Sequence, residues 1–106
     1  MTAADHASDS ALQVRYRLGR GFRLQWEEAQ QAHVLLFPEG MVKLNASAAQ
    51  ILQRCDGRMP LAALIDDLQR AFGQADLAGD VRQFVAFAQS RGWIEAAEAD
   101  LRGDAR

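Results

Sequence analysis

Residues 35–45 read LLFPEGMVKLN, and how this stretch is read decides the fold. An apolar run meets Pro38-Glu39-Gly40, resumes as Met41-Val42-Lys43-Leu44 and stops at Asn45. Pro38 presets φ for the first corner of a turn, and Gly40 can take the left-handed conformation that returns a chain to a ladder. The sequence therefore predicts a hairpin over 33–44, with His33 to Phe37 as its first arm. Upstream, Phe22, Leu24 and Trp26 alternate with Arg23, Gln25 and Glu27, the period of a half-buried strand. The polar stretch EEAQQA joins that strand to the hairpin. The second arm, Met41 to Leu44, is short and carries no reactive group, so its purpose has to come from the rest of the chain.

Downstream of the hairpin the period changes from two to that of a helix. Asn45 has the form of an N-cap, with Ala48, Ile51, Leu52 and Cys55 on one stripe and Gly57 as the stop. Pro60 opens a second helix that buries Leu61, Leu64, Ile65, Leu68 and Phe72 and ends at Gly73. Asp76 caps a third, with Leu77, Val81, Phe84, Val85 and Ala88 in register, Arg91 near its negative end and Gly92 closing it. Trp93 and Ile94 fold back onto the core. The expected architecture is α+β: a small winged-helix-like domain, a three-stranded antiparallel sheet followed by three helices. It occupies residues 14–94, between a flexible N-terminal segment, 1–13, and a polar C-terminal tail, 95–106.

Composition removes several classes of function. The chain has 106 residues, 49% of them hydrophobic, but 20 are alanine, so it supports one small core. A net charge of −2 gives no global field for nucleic acid. No apolar run approaches the roughly 20 residues that span a bilayer. The first residues lack the apolar segment of a signal peptide. A lone cysteine, Cys55, forms no internal disulfide and suits a reducing compartment, so a cytoplasmic location is expected.

Reactive groups are equally sparse. His6 and His33 have no Cys or carboxylate partner at metal-ligand spacing, and no metal or cofactor is expected. Cys55, on an inward stripe, reads as a structural thiol. Asp66 and Asp67, close to Arg70, read as a solvated helix face. The chain is expected to bind rather than catalyse. Three features bear on binding. The strand Met41, Val42, Lys43 and Leu44 is a candidate sheet edge, with Lys43 either guarding it or flanking a recruiting surface. Phe87 lies ~100° off the core direction of its helix, at the rim of the core or in a groove beside the sheet. Arg15, Arg17, Arg20 and Arg23 form either a solvated face or a surface for an acidic partner.

Together these residues resemble a known family. The run RLQWEEAQQAHVLLFPEGMVKLNASAAQILQRCDG is similar to the central signature of the PqqD family, which acts in biosynthesis of the redox cofactor pyrroloquinoline quinone. Arg23, Trp26, Pro38-Glu39-Gly40, Asn45, Ile51-Leu52, Cys55-Asp56-Gly57 and Gly92-Trp93 carry the resemblance across residues 17–94. It implies a peptide carrier that captures the precursor peptide PqqA and presents it to the radical-SAM enzyme PqqE. By that analogy the peptide adds as a strand beside Met41–Leu44 and lies against the third helix, where Arg82, Gln83, Ala86, Phe87 and Ser90 stand off the core stripe. On this reading Val42→Pro removes an edge donor. The alternatives are a winged-helix nucleic-acid-binding regulator, disfavoured by a third helix of net charge only +1, and a binder of the quinone product. An exposed short edge leaves two assembly states open, a monomer or a strand-swapped homodimer.

Overall fold

Five residues after Val14 the chain makes its tightest internal approach. Gly19 is buried, its N–H donates to the Trp93 carbonyl at 2.7 Å, and a Cβ on it would meet the Gly92 oxygen at 2.1 Å. Only glycine lets the start of the fold lie against its end. A computed structural model describes residues 11–97; of the segments expected to flank the domain, 1–13 and 95–106, residues 1–10 with His6 and residues 98–106 lie outside the described residues, while Glu95 and Ala96 belong to a strand.

Among the described residues, two three-stranded antiparallel sheets and the three helices expected downstream of the hairpin make up the α+β fold. The expected sheet is present: β2 (Arg23–Glu27), β3 (Ala32–Phe37) and β4 (Gly40–Lys43), in that order. Phe37 pairs with Gly40 across a two-residue Pro38-Glu39 turn. Gly40 sits at φ 158, at the extended end of backbone space, and so begins the strand instead of turning in the left-handed region. The left-handed residue of this sheet is Gln31, φ 51, which closes the four-residue turn between β2 and β3.

The second sheet, in the order β5-β1-β6, was not anticipated. It joins β1 (Arg15–Leu18) to β5 (Asp56–Pro60) on one side and to β6 (Ile94–Ala96) on the other. In β1 the arginines alternate with Tyr16 and Leu18, which pack into the core, so a strand lay inside what reads as a basic run. Gly57 is therefore no helix stop: it lies within β5 at φ 82, beside Asp56, whose carboxylate accepts from the Arg58 N–H at 2.8 Å and the Met59 N–H at 3.1 Å. Those bonds hold the Asp56 carboxyl below its usual range.

α1 (Ala46–Gln53) starts as expected, with Asn45 Oδ1 accepting from the Ala48 N–H at 2.8 Å. α2 (Leu61–Phe72) follows Pro60 and ends at Gly73, whose φ of 62 supplies the left-handed cap. Leu61, Leu64, Ile65 and Leu68 are buried, but Phe72 is 43% exposed because α2 outruns the core by a turn. α3 (Ala78–Ser90) is not capped by Asp76. That residue has φ 65, and Gln69 Oε1 accepts the Leu77 N–H at 3.0 Å instead. The core joins Leu35 and Leu44 of the hairpin with Ile51, Leu52, Leu64, Leu68, Val81, Val85 and Ile94. Trp26 is 48% exposed: β2 extends beyond the core, and the indole stacks edge-on to His33 at 5.2 Å between centroids.

Candidate functional site

The direction of each backbone group in the hairpin follows from one hydrogen bond. The Leu44 N–H donates to the His33 carbonyl at 2.9 Å, which makes Leu44 and His33 a hydrogen-bonded pair. In an antiparallel ladder such pairs alternate with non-bonded ones. Given the register Leu35↔Val42 and Leu36↔Met41, Val42 also bonds inward to β3. Met41 and Lys43 therefore turn their N–H and C=O groups away from the sheet. Among the described residues β4 pairs only with β3, so this edge is open. Val42→Pro would break the hairpin itself; the edge donors are those of Met41 and Lys43.

A groove of about 500 Å³ lies beside this edge. Val42 forms one wall and Phe87 with Arg91 the other, over a floor of Phe22, Phe37 and Trp93. The rings are in mutual contact: Phe22 and Phe37 lie 5.2 Å apart between centroids, and Phe87 meets Trp93 edge-on at 5.3 Å. The Arg91 guanidinium lies 5.2 Å from the centre of the Phe87 ring, a cation–π contact that holds the cation at the groove's rim. Glu39, on the hairpin turn, is the acidic residue of the same lining.

The structure brings Val42 and Phe87 together across the groove and sets the other expected residues at different distances from it. Met41 and Lys43 contribute backbone, and their side chains are exposed on the opposite face of the sheet from Val42. Leu44 contributes neither, because its N–H is spent on β3 and its side chain is in the core. Gln83, Ala86 and Ser90 are exposed on α3 but do not line the groove; the Ser90 hydroxyl donates to the Phe87 carbonyl at 2.7 Å. Arg82 stands ~140° around the helix from Phe87. It is close enough to Tyr16 on β1 for its charge to lower the phenol's pKa, a pull that burial of the ring outweighs. The groove's cation is thus Arg91, and Phe22, Phe37 and Trp93 are lining residues that the sequence reading did not select. The heptad-like spacing of Phe84, Phe87 and Arg91 is the signal that could have found the face of α3 that lines the groove.

Half of the arginine run is committed within the fold. Arg17 Nη2 lies 2.9 Å from Glu95 Oε2, and Arg15 Nε donates to the Arg58 carbonyl at 2.8 Å. Arg20 and Arg23 are exposed. Asp66 and Asp67 pair with Arg70, and Asp67 also accepts from Arg54 at 2.6 Å, which keeps its carboxyl below the usual range. The buried Cys55 thiol donates to the Ile51 carbonyl at 3.4 Å, and burial pushes its pKa up to about 12, far from that of a nucleophile. Among the described residues no group of three or more His, Cys, Asp or Glu converges as a metal site, and no helix is long and apolar enough to cross a membrane. What the site offers is two outward amides, two outward carbonyls and an aromatic trough, the parts needed to receive an extended chain.

Comparison with known proteins follows the same lines. The family model described as Coenzyme PQQ synthesis protein D (PqqD) matches residues 32–94. A PqqA binding protein of Azotobacter vinelandii is 49% identical over 89 residues, covering 83% of this chain and 97% of that one. Another, of Methylococcus capsulatus, is 47% identical over 68% of this chain and 77% of that one. Among solved structures, the solution NMR structure of the PqqD truncation of Methylobacterium extorquens PqqCD superposes with a TM-score of 0.62 at 31% identity, over 80% of this chain and 92% of that one. It is described as a functional, stand-alone recognition element for ribosomally synthesized and post-translationally modified peptides.

Proposed function

The chain belongs to the PqqD family, and from that premise we propose that it is a non-enzymatic carrier that binds the precursor peptide PqqA by strand addition to β4 and presents it to PqqE. The observation that carries the reading is the open edge of β4 beside an aromatic groove, in a chain half identical to a PqqA binding protein. Met41 and Lys43 together offer four backbone bonds. At ~0.5–1.5 kcal/mol net apiece these supply roughly 2–6 kcal/mol. Micromolar affinity needs about 8 kcal/mol before the peptide's ordering cost is added. Contacts in the trough between Val42 and Phe87 must provide the difference, with Arg91 favouring an acidic group nearby.

This division of labour suits a carrier. Backbone pairing tolerates many sequences, while the trough selects among them by the side chains that alternate into it. A moderate total also lets the peptide leave, as delivery to an enzyme requires. Calorimetric titration with synthetic PqqA tests the reading: the intact chain binds with one-to-one stoichiometry and supports PqqE turnover in proportion to its concentration. Absence of PqqA binding overturns it, and so does turnover of the peptide by the chain alone.

A further inference from the structure

A second cavity, of about 340 Å³, opens where α1, α2 and α3 meet. Ser47, Ile51, Phe72, Leu77, Asp80 and Phe84 are among its lining residues, and Asn45 stands in its wall. The helix segment that lines it also lines the β4 groove further along. Leu77, Asp80, Phe84, Phe87 and Arg91 are spaced three, four, three and four apart, which puts them in one line along the helix. The first three face the second cavity, and the last two face the groove. Phe84 and Phe87 join the two compartments, their ring centroids 6.4 Å apart.

Resting on the reading that β4 recruits a peptide, we propose that this line is a single recognition stripe. The same peptide, on leaving β4, continues past Asn45 and seats an apolar side chain against Phe72 in the second cavity. Three observations carry the assignment. α3 runs antiparallel to β4: its C-terminal end faces the Pro38-Glu39 turn, and its N-terminal end faces Asn45, where β4 gives way to α1. A chain paired with β4 therefore has to pass the mouth of the second cavity. The stripe from Leu77 to Arg91 is ~21 Å long at 1.5 Å per helical residue. An extended peptide covers that length with about six residues, whereas the outward groups of Met41 and Lys43 occupy only about 7 Å of it. Finally, Phe72 at the cavity is among the few large apolar side chains left exposed, although α2 buries the rest of its apolar face.

The test uses the full chain and two variants at exposed positions, Phe72→Ala, which removes a wall, and Ser47→Trp, which fills the cavity. Thermal unfolding verifies that both remain folded. Each is titrated with synthetic PqqA and with fragments shortened stepwise from either end. Both variants lose affinity for intact PqqA, by about tenfold. Shortening from one end weakens binding to the unaltered chain by a similar factor and abolishes the difference between chain and variants. Equal affinity of the intact chain and both variants for full-length PqqA overturns the second compartment while leaving the β4 site in place. Failure of the intact chain to bind PqqA at all overturns the function together with this inference.

Discussion

The hairpin sheet has two open edges, and they differ in what stands opposite. The alternation that turns Met41 and Lys43 outward on β4 also turns Leu24 and Trp26 outward on β2, which among the described residues pairs only with β3. Beside β2 lies a broad, shallow cleft of about 720 Å³, lined by Leu18, Phe22, Leu52 and Cys55. Beside β4 stands a helix carrying Phe87 and Arg91 over an aromatic floor. Unpaired amides are thus common to both edges, while a facing aromatic and cationic wall, Phe87 with Arg91, belongs to one. An edge becomes a selective site when a second element stands at the distance of an extended chain.

The contrast can be broken at several points. Gly19 fixes the β1–β2 link against Gly92, and so holds the end of α3 where it faces β4 and not β2. Gly19→Ala forces the two backbones apart and is expected to cost about 3 kcal/mol of stability, seen as a fall in the urea midpoint. Replacing an outward donor comes next in size. Lys43→Pro lowers PqqA affinity about tenfold with the hairpin intact, whereas Trp26→Pro, the equivalent change on β2, leaves affinity unaltered; calorimetry on both decides between the edges. Phe87→Ala removes an exposed ring and weakens binding by about 1 kcal/mol, with a smaller change in melting temperature. If stability falls and binding holds, Phe87 supports the core and not the groove.

The last effect, absent at neutral pH, concerns the β2 cleft. Cys55 is part of its lining but is held as a thiol by burial. Its folded pKa of about 12 lies above the ordinary 9.0, so the native state resists ionisation that the unfolded chain accepts. Stability is therefore unaffected by this group below pH 9 and falls as pH rises from there toward 12; Cys55→Ala flattens that part of the profile. Native protein at pH 8 reacts slowly with a thiol reagent, and denatured protein reacts fast.

The elements that sequence reasoning found are those set by local chemistry. The Pro38-Glu39 turn, the Asn45 cap, the Gly73 stop and the apolar stripes of all three helices depend on neighbours within about four residues. The second sheet depends on partners far away. Arg17 pairs in register with Asp56 and with Glu95, and the five residues Asp56–Pro60 carry a glycine and a proline that argue against a strand. Their ladder exists because β1 already lies beside them. The site divides in the same way. An edge at Met41–Lys43 and an off-core Phe87 were legible, but a helix has two sides flanking its buried stripe. Arg82 and Arg91 lie on different sides, and only the tertiary structure shows that Arg91 is the one beside the groove.

Receipt of the peptide at one edge, through two outward amides, has a direct readout. Amide hydrogen exchange by NMR, on labelled chain with and without saturating PqqA, measures this directly. With strand addition at β4, Met41 and Lys43 gain protection on binding, Val42 is protected in both states, and Leu24 and Trp26 do not change. Protection gained at Leu24 and Trp26, or Met41 and Lys43 amides that exchange as freely in the complex as without peptide, would contradict it.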